Sequence, residues 1–202
     1  MIIKNGVGDG TLAIVHPNNH IGTQSIAEPL MGYKSRVDEQ AFSIFSPIAW
    51  PVTGTETRVL VVINNESEKS FLVNLFFVSH SGGTTFNRSI YAKMYKGVTA
   101  PTTGILTGAA IPFGNLNMGS TKVTSVVAYL WDGSTGTGLS GGSAGSIAMN
   151  GVFSPGFTEV PLNGTVILSP GQSFAVSYQN LESAITYCCC TISGFLAIKG
   201  QI

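Results

Sequence analysis

From Ala41 onward, apolar residues come in short β-branched and aromatic runs separated by turn-forming residues. The runs are 42–45, 57–63, 71–78, 89–95, 123–131, 146–153, 165–168, 173–178 and 184–198. Strands of this length, punctuated by Gly, Pro, Asn and Ser, are the pattern of a sandwich or barrel. Their number suits a jelly roll. Two connections look like tight reversals. The polar stretch 64–70 joins two strongly apolar runs as a hairpin or near-hairpin, and Ser169-Pro170-Gly171-Gln172 joins 162–168 to 173–178 through a Pro-Gly turn. In the run 173–178, Phe174, Val176 and Tyr178 alternate with Ser173, Ala175 and Ser177, the period of a half-buried antiparallel strand.

Residues 1–40 have no sustained period of 2 or 3.6, and turn signals recur at 6–10, at His16-Pro17-Asn18-Asn19 and at Glu28-Pro29. They predict an extended N-terminal arm with at most one short strand, at 11–15. A segment this long without a core of its own is usually disordered or bound to something. Its apolar residues Leu12, Ile14, Val15, Ile21, Ile26, Leu30 and Met31 point to binding, and these are the candidate assembly residues. The expectation is an all-β chain, an antiparallel jelly-roll-like β-sandwich over 41–202 behind an arm over 1–40. No run of ten or more residues has helical periodicity with caps; 100–119 is broken by Pro101, Gly104, Gly108, Pro112 and Gly114. The Gly/Ser-rich stretch 132–145 reads as an exposed, mobile loop.

Composition narrows the function classes. Charged residues are only 10% of the 202, with ten basic and ten acidic residues and no blocks of one sign, so no electrostatic footprint for nucleic acid or an anionic membrane is expected. Net charge near zero favours association, which suits a surface that is covered in use. The N-terminus carries no basic region followed by an apolar stretch, and no segment reaches the roughly 18 apolar residues of a membrane span; synthesis in a cytoplasm is expected. Cys188, Cys189 and Cys190 are consecutive, a poor geometry for bridging or for wrapping a tetrahedral ion, and they read as small buried apolar residues.

Motifs for catalysis fail on context. Ser140 and Ser143 both fit Gly-x-Ser-x-Gly, but His16, His20 and His80 all precede them, and a nucleophile elbow needs a strand before it, a helix after it and a later base. The stretch 136–141 matches a dinucleotide fingerprint with Glu159 downstream, yet no helix pattern follows to meet a pyrophosphate. His16 and His20 are four apart, but Pro17 places them in a turn and no third ligand is near. No catalytic, cofactor or metal residue is expected. Asn65, Asn87 and Asn163 head glycosylation sequons, read here as turn chemistry. Trp50, Trp131, Tyr91, Tyr95 and Tyr129 could stack on sugars if exposed. Trp131 with Asp132, at a strand end, is the candidate rim position for glycan binding, whereas Trp50 between Ala49 and Pro51 suits burial.

The order of an arm, then Ser35-Arg36-Val37-Asp38-Glu39-Gln40-Ala41-Phe42, then Val59-Leu60-Val61-Val62-Ile63-Asn64-Asn65-Glu66, resembles virion structural proteins of tailed bacteriophages. The closing stretch from Leu162-Asn163-Gly164 to Gln172-Ser173-Phe174 is similar to them too. The resemblance implies a jelly-roll protomer, commonly a homotrimer, located on the virion and attached by its N-terminal arm to the major capsid protein or another virion protein. A capsid decoration or cement protein is the expected function. The alternative is a tail or fibre receptor-binding protein that recognises host-surface glycan.

Overall fold

Val59, Leu60, Val61 and Val62 are all buried, although neighbours on a strand face opposite ways. Both faces of their strand are therefore covered, and the rest of the fold is arranged around this fact. The computed structural model describes residues 3–4, 12–15, 21–22, 30–50, 56–81, 90–133, 138–139, 147–153, 156–180 and 186–198. They contain β1 (Ile3–Lys4), β2 (Leu12–Val15), β3 (Ile21–Gly22), α1 (Leu30–Arg36), β4 (Ala41–Trp50), β5 (Glu56–Asn64), β6 (Lys69–Ser81) and β7 (Ile90–Lys96). Then come β8 (Ile111–Pro112), β9 (Gly114–Asn115), β10 (Val126–Leu130), β11 (Ile147–Phe153), β12 (Gly156–Leu168), β13 (Ser173–Asn180) and β14 (Thr186–Ile198).

The chain divides into two compact units, Met1–Leu30 and Met31–Ile202. In the first, β2 pairs antiparallel with β1 on one side and β3 on the other. The strand expected at 11–15 is thus the middle of a three-stranded sheet, so this unit has secondary structure beyond a single strand. Residues 31–40, expected in the arm, belong to the second unit.

The second unit is a two-sheet antiparallel β-sandwich. A six-stranded sheet has the order β11-β7-β13-β5-β10-β8 and a five-stranded sheet the order β12-β6-β14-β4-β9. Strands of the first half pair with strands of the second half in reverse order: β4 with β14, β5 with β13, β6 with β12 and β7 with β11. From β4 to β7, and again from β11 to β14, successive strands alternate between the sheets. This is jelly-roll connectivity, with β8, β9 and β10 inserted between β7 and β11.

Alternation between sheets changes the meaning of the two tight turns. The 65–68 connection joins β5 to β6, and 169–172 joins β12 to β13; in each case the strands lie in different sheets. Neither is a hairpin. Both are arches across the top of the sandwich, and loop length could not distinguish the two cases because an arch also spans a short distance. Asn64, fully buried, fastens the arches together. Its Nδ2 donates to the Lys69 carbonyl (2.9 Å) and the Leu168 carbonyl (2.8 Å), and its Oδ1 accepts from the Glu66 N–H (3.0 Å). Its backbone N–H donates to the Gln172 carbonyl and its carbonyl accepts from the Gly171 N–H. Gly171, at φ +75°, supplies the positive φ that the third residue of this Pro-Gly turn requires.

The core lies between the sheets and includes Phe42, Phe71, Phe76, Phe113, Phe174, Tyr178, Trp131 and Ile192; Phe71 and Phe113 meet edge-to-face at 5.3 Å. β13 departs from the half-buried expectation, because Ser173, Ala175 and Ser177 are buried along with Phe174, Val176 and Tyr178. The stretch 132–145 is likewise pinned at two points within it. Leu139 is 3% exposed, its N–H donates to the Arg58 carbonyl at 2.9 Å, and Gly138 bridges to Arg58 in parallel. The mobile-loop reading is corrected for Gly138 and Leu139: the glycine permits close approach to β5, and burial of the leucine anchors it. Ser140 and Ser143 lie outside the described residues.

Candidate assembly surface

The helix α1 starts one residue after Pro29 and ends with Lys34 and Arg36 in its last turn, where cations suit the helix dipole. Its exit is built from hydrogen bonds. Val37 N–H donates to the Tyr33 carbonyl, and Gln40 N–H returns to the Lys34 carbonyl, both at 2.8 Å. Lys34 Nζ pairs with Asp38 at 2.6 Å. Between them Glu39 adopts φ +54°, the one non-glycine residue with positive φ among those described. A left-handed residue with a Cβ costs about 1–2 kcal/mol, so the surrounding contacts must hold it there.

Those contacts come from the 115–125 segment. Asn115 Nδ2 reaches the carbonyls of Glu39 (3.0 Å) and Lys122 (3.1 Å) and Ser120 Oγ (3.3 Å). Asn117 Nδ2 donates to the Ser35 carbonyl, Ser120 Oγ donates to Glu39 Oε2 (2.9 Å), and Lys122 Nζ donates to the Asp38 carbonyl (2.8 Å). Within the segment, Asn115, Asn117 and Ser120 each accept, through a side-chain oxygen, from the backbone N–H two residues on. These are self-closing Asx and Ser turns. At its far end Glu66 Oε1 accepts from Thr124 Oγ1 and Ser125 N–H. Leu116 N–H donates to the Ala41 carbonyl, and Leu196 N–H to the Gln40 carbonyl, so the corner is continuous with the five-stranded sheet.

A loop fixed by this many polar contacts would be expected to hide its apolar side chains. It does the reverse: Met118 is 97% exposed and Val123 87%, with Leu116 and Val37 also exposed beside them. Its charges are paired internally, Lys122 lying 3.8 Å from Glu39. The product is a rigid, locally neutral corner that offers apolar groups to solvent at the point where the chain enters the second unit.

The residues singled out from sequence are distributed differently. Leu12, Ile14 and Val15 lie on β2 and Ile21 on β3, within the first unit; Leu30 and Met31 begin α1. Ile26 lies outside the described residues. Trp131 is corrected: it is 2% exposed and part of the core, so its ring is not available for stacking on a sugar, while Asp132 is exposed. A strand-end position alone suggests a rim. Instead the Trp131 N–H donates to the Val59 carbonyl, and Trp131 bridges Ile105, which draws the ring inward. Cys190 is buried and Cys189 partly buried, both as free thiols. Among the described residues no group of three or more His, Cys, Asp or Glu lies together as a metal site.

Sequence reasoning missed Val37, Leu116, Met118 and Val123. The apolar run 123–131 predicts a strand from Val123, whereas β10 begins at Val126. The available signal was Asn115, Asn117 and Ser120, turn-forming residues spaced to close one another's backbone. No family model, curated protein or solved structure matches this chain. Function is therefore argued from the geometry.

Proposed function

We propose that this chain is a non-enzymatic virion structural protein, a capsid decoration or cement protein that binds the outside of an assembled shell and stabilises it. The observation that carries this reading is the preorganised corner with Met118 and Val123 turned out to solvent. Apolar groups on an already ordered loop lose little entropy on docking, so the corner is suited to adhesion. The compact first unit, Met1–Leu30, is a second attachment element joined through α1. Jelly-roll connectivity and the low charge fit the same reading. A protein that binds only the assembled shell stabilises it by mass action, without turnover.

The test mixes purified full-length protein with empty shells of the parent particle and counts bound copies by co-sedimentation and electron microscopy. Wild type is expected in regular copies. The Met118→Ser/Val123→Ser double variant should lose roughly a hundredfold or more in affinity, since burying such side chains contributes about 1.5–3 kcal/mol each. Absence of wild type from shells, with binding to host cells or their surface polysaccharide, would replace this reading with receptor recognition.

A further inference from the structure

Glycine adopts a positive φ without steric cost, yet position 39 holds a glutamate at φ +54°. A bend alone has no use for this side chain, so the strain points to a role for the carboxylate. The carboxylate meets the loop that carries Met118. Ser120 Oγ donates its one proton to Glu39 Oε2 (2.9 Å) and accepts from Lys122 N–H (3.0 Å) and Asn115 Nδ2 (3.3 Å). A hydroxyl has one donor and two lone pairs, so its whole capacity is used. The carboxylate, which can only accept, fixes the direction of the proton and leaves both lone pairs to the loop.

Met118 stands on a turn whose two ends are tethered to the exit of α1. Ser120 N–H closes this turn on the Asn117 carbonyl at 2.9 Å, with Met118 and Gly119 between them. One end is held by Ser120 on Glu39, the other by Asn117 Nδ2 on the Ser35 carbonyl (3.3 Å). At 97% exposure, Met118 has almost no packing of its own to fix it. We propose that Glu39 is the positioning residue of the docking corner, a strained latch whose carboxylate sets Ser120 and, through it, the turn that presents Met118. The inference rests on the docking role proposed above for that corner. It adds a point of control: a turn of Glu39 to negative φ relieves backbone strain and frees the loop while the sandwich stays folded.

The experiment is hydrogen–deuterium exchange at the 117–123 amides of the full chain, with β5 amides as the reference for global opening, followed by co-sedimentation with shells. In Glu39→Gly, exchange at 117–123 relative to β5 should rise about tenfold, the loss of one hydrogen bond to a charged acceptor. Glu39→Gln keeps an acceptor for Ser120 and gives up only the ion pair with Lys122, which is 3.8 Å long and exposed. It should stay within about threefold of wild type. Ser120→Ala removes the other partner and should reproduce the Glu39→Gly result; if Glu39→Gly fails to fold, it decides alone. Unchanged or slower exchange in Glu39→Gly, as relief of strain alone would give, equal acceleration in β5, or no rescue by Glu39→Gln would overturn the latch. Shell affinity should fall in the same order as exchange rises, and a loosened Glu39→Gly that binds shells as tightly as wild type would also overturn it. Wild type that ignores shells removes the virion reading, whereas the exchange measurement takes place without shells and still decides the latch.

Discussion

A methyl group at Gly138 would meet the Arg58 carbonyl, with Thr57 Cγ2 at 2.6 Å and Arg58 N at 2.7 Å, in a backbone at φ +84°. Neither problem can relax without moving β5. Gly138→Ala should therefore cost about 2–4 kcal/mol, overpacking and left-handed strain together, read as a lower urea midpoint. Asn64 makes a chemically sharper case. Asn64→Ala removes a buried amide that satisfies two carbonyls and an N–H, a loss of about 2–4 kcal/mol. Asn64→Asp keeps the shape but turns its donors into acceptors facing the Lys69 and Leu168 carbonyls. It should melt below Asn64→Ala in thermal unfolding at neutral pH. Sequence placed Asn64 in a turn, but its bond to Leu168, 104 residues away, comes only from the arches meeting.

Among elements, α1 and the residues after it show how an apparent arm can be part of a domain. Deleting 1–30 should leave the Met31–Ile202 unit folded. Deleting 1–40 also removes partners of Asn115, Asn117, Ser120, Lys122 and Leu196, and differential scanning calorimetry should show a melting temperature lower by several degrees. Equal melting of the two truncations would contradict this account of the corner. The strands themselves were legible, because apolar runs bounded by turn residues carry their own period: the run at 57–63 became β5, and that at 173–178 became β13 with two residues added. The helix was not legible. It has only seven residues, includes Gly32, and makes too little of a periodic stripe to stand out.

For the molecule as a whole, the exposed corner and the charge balance bear on the same question. With ten charges of each sign, the net charge near zero favours association. The Met118→Ser/Val123→Ser variant should keep its unfolding free energy within about 0.5 kcal/mol of wild type, as for surface changes away from structural contacts, while losing shell binding. A matched loss of stability and binding would mean that the two residues support the fold rather than the contact.

The chain's local chemistry determined the all-β class, the positions of most strands, the scarcity of helix, and turns at Asn64 and Pro170-Gly171. Each depends on neighbours within a few residues, so each is written in the order of residues. Only the tertiary structure decided that β4–β7 and β11–β14 alternate between sheets, that an apparent hairpin and a Pro-Gly turn are arches, that Trp131 and Leu139 are core, and that Met118 and Val123 stand clear of it. Those outcomes depend on which distant segments meet. Backbone pairing imposes that choice through long-range register, which a one-dimensional pattern of polar and apolar residues does not encode.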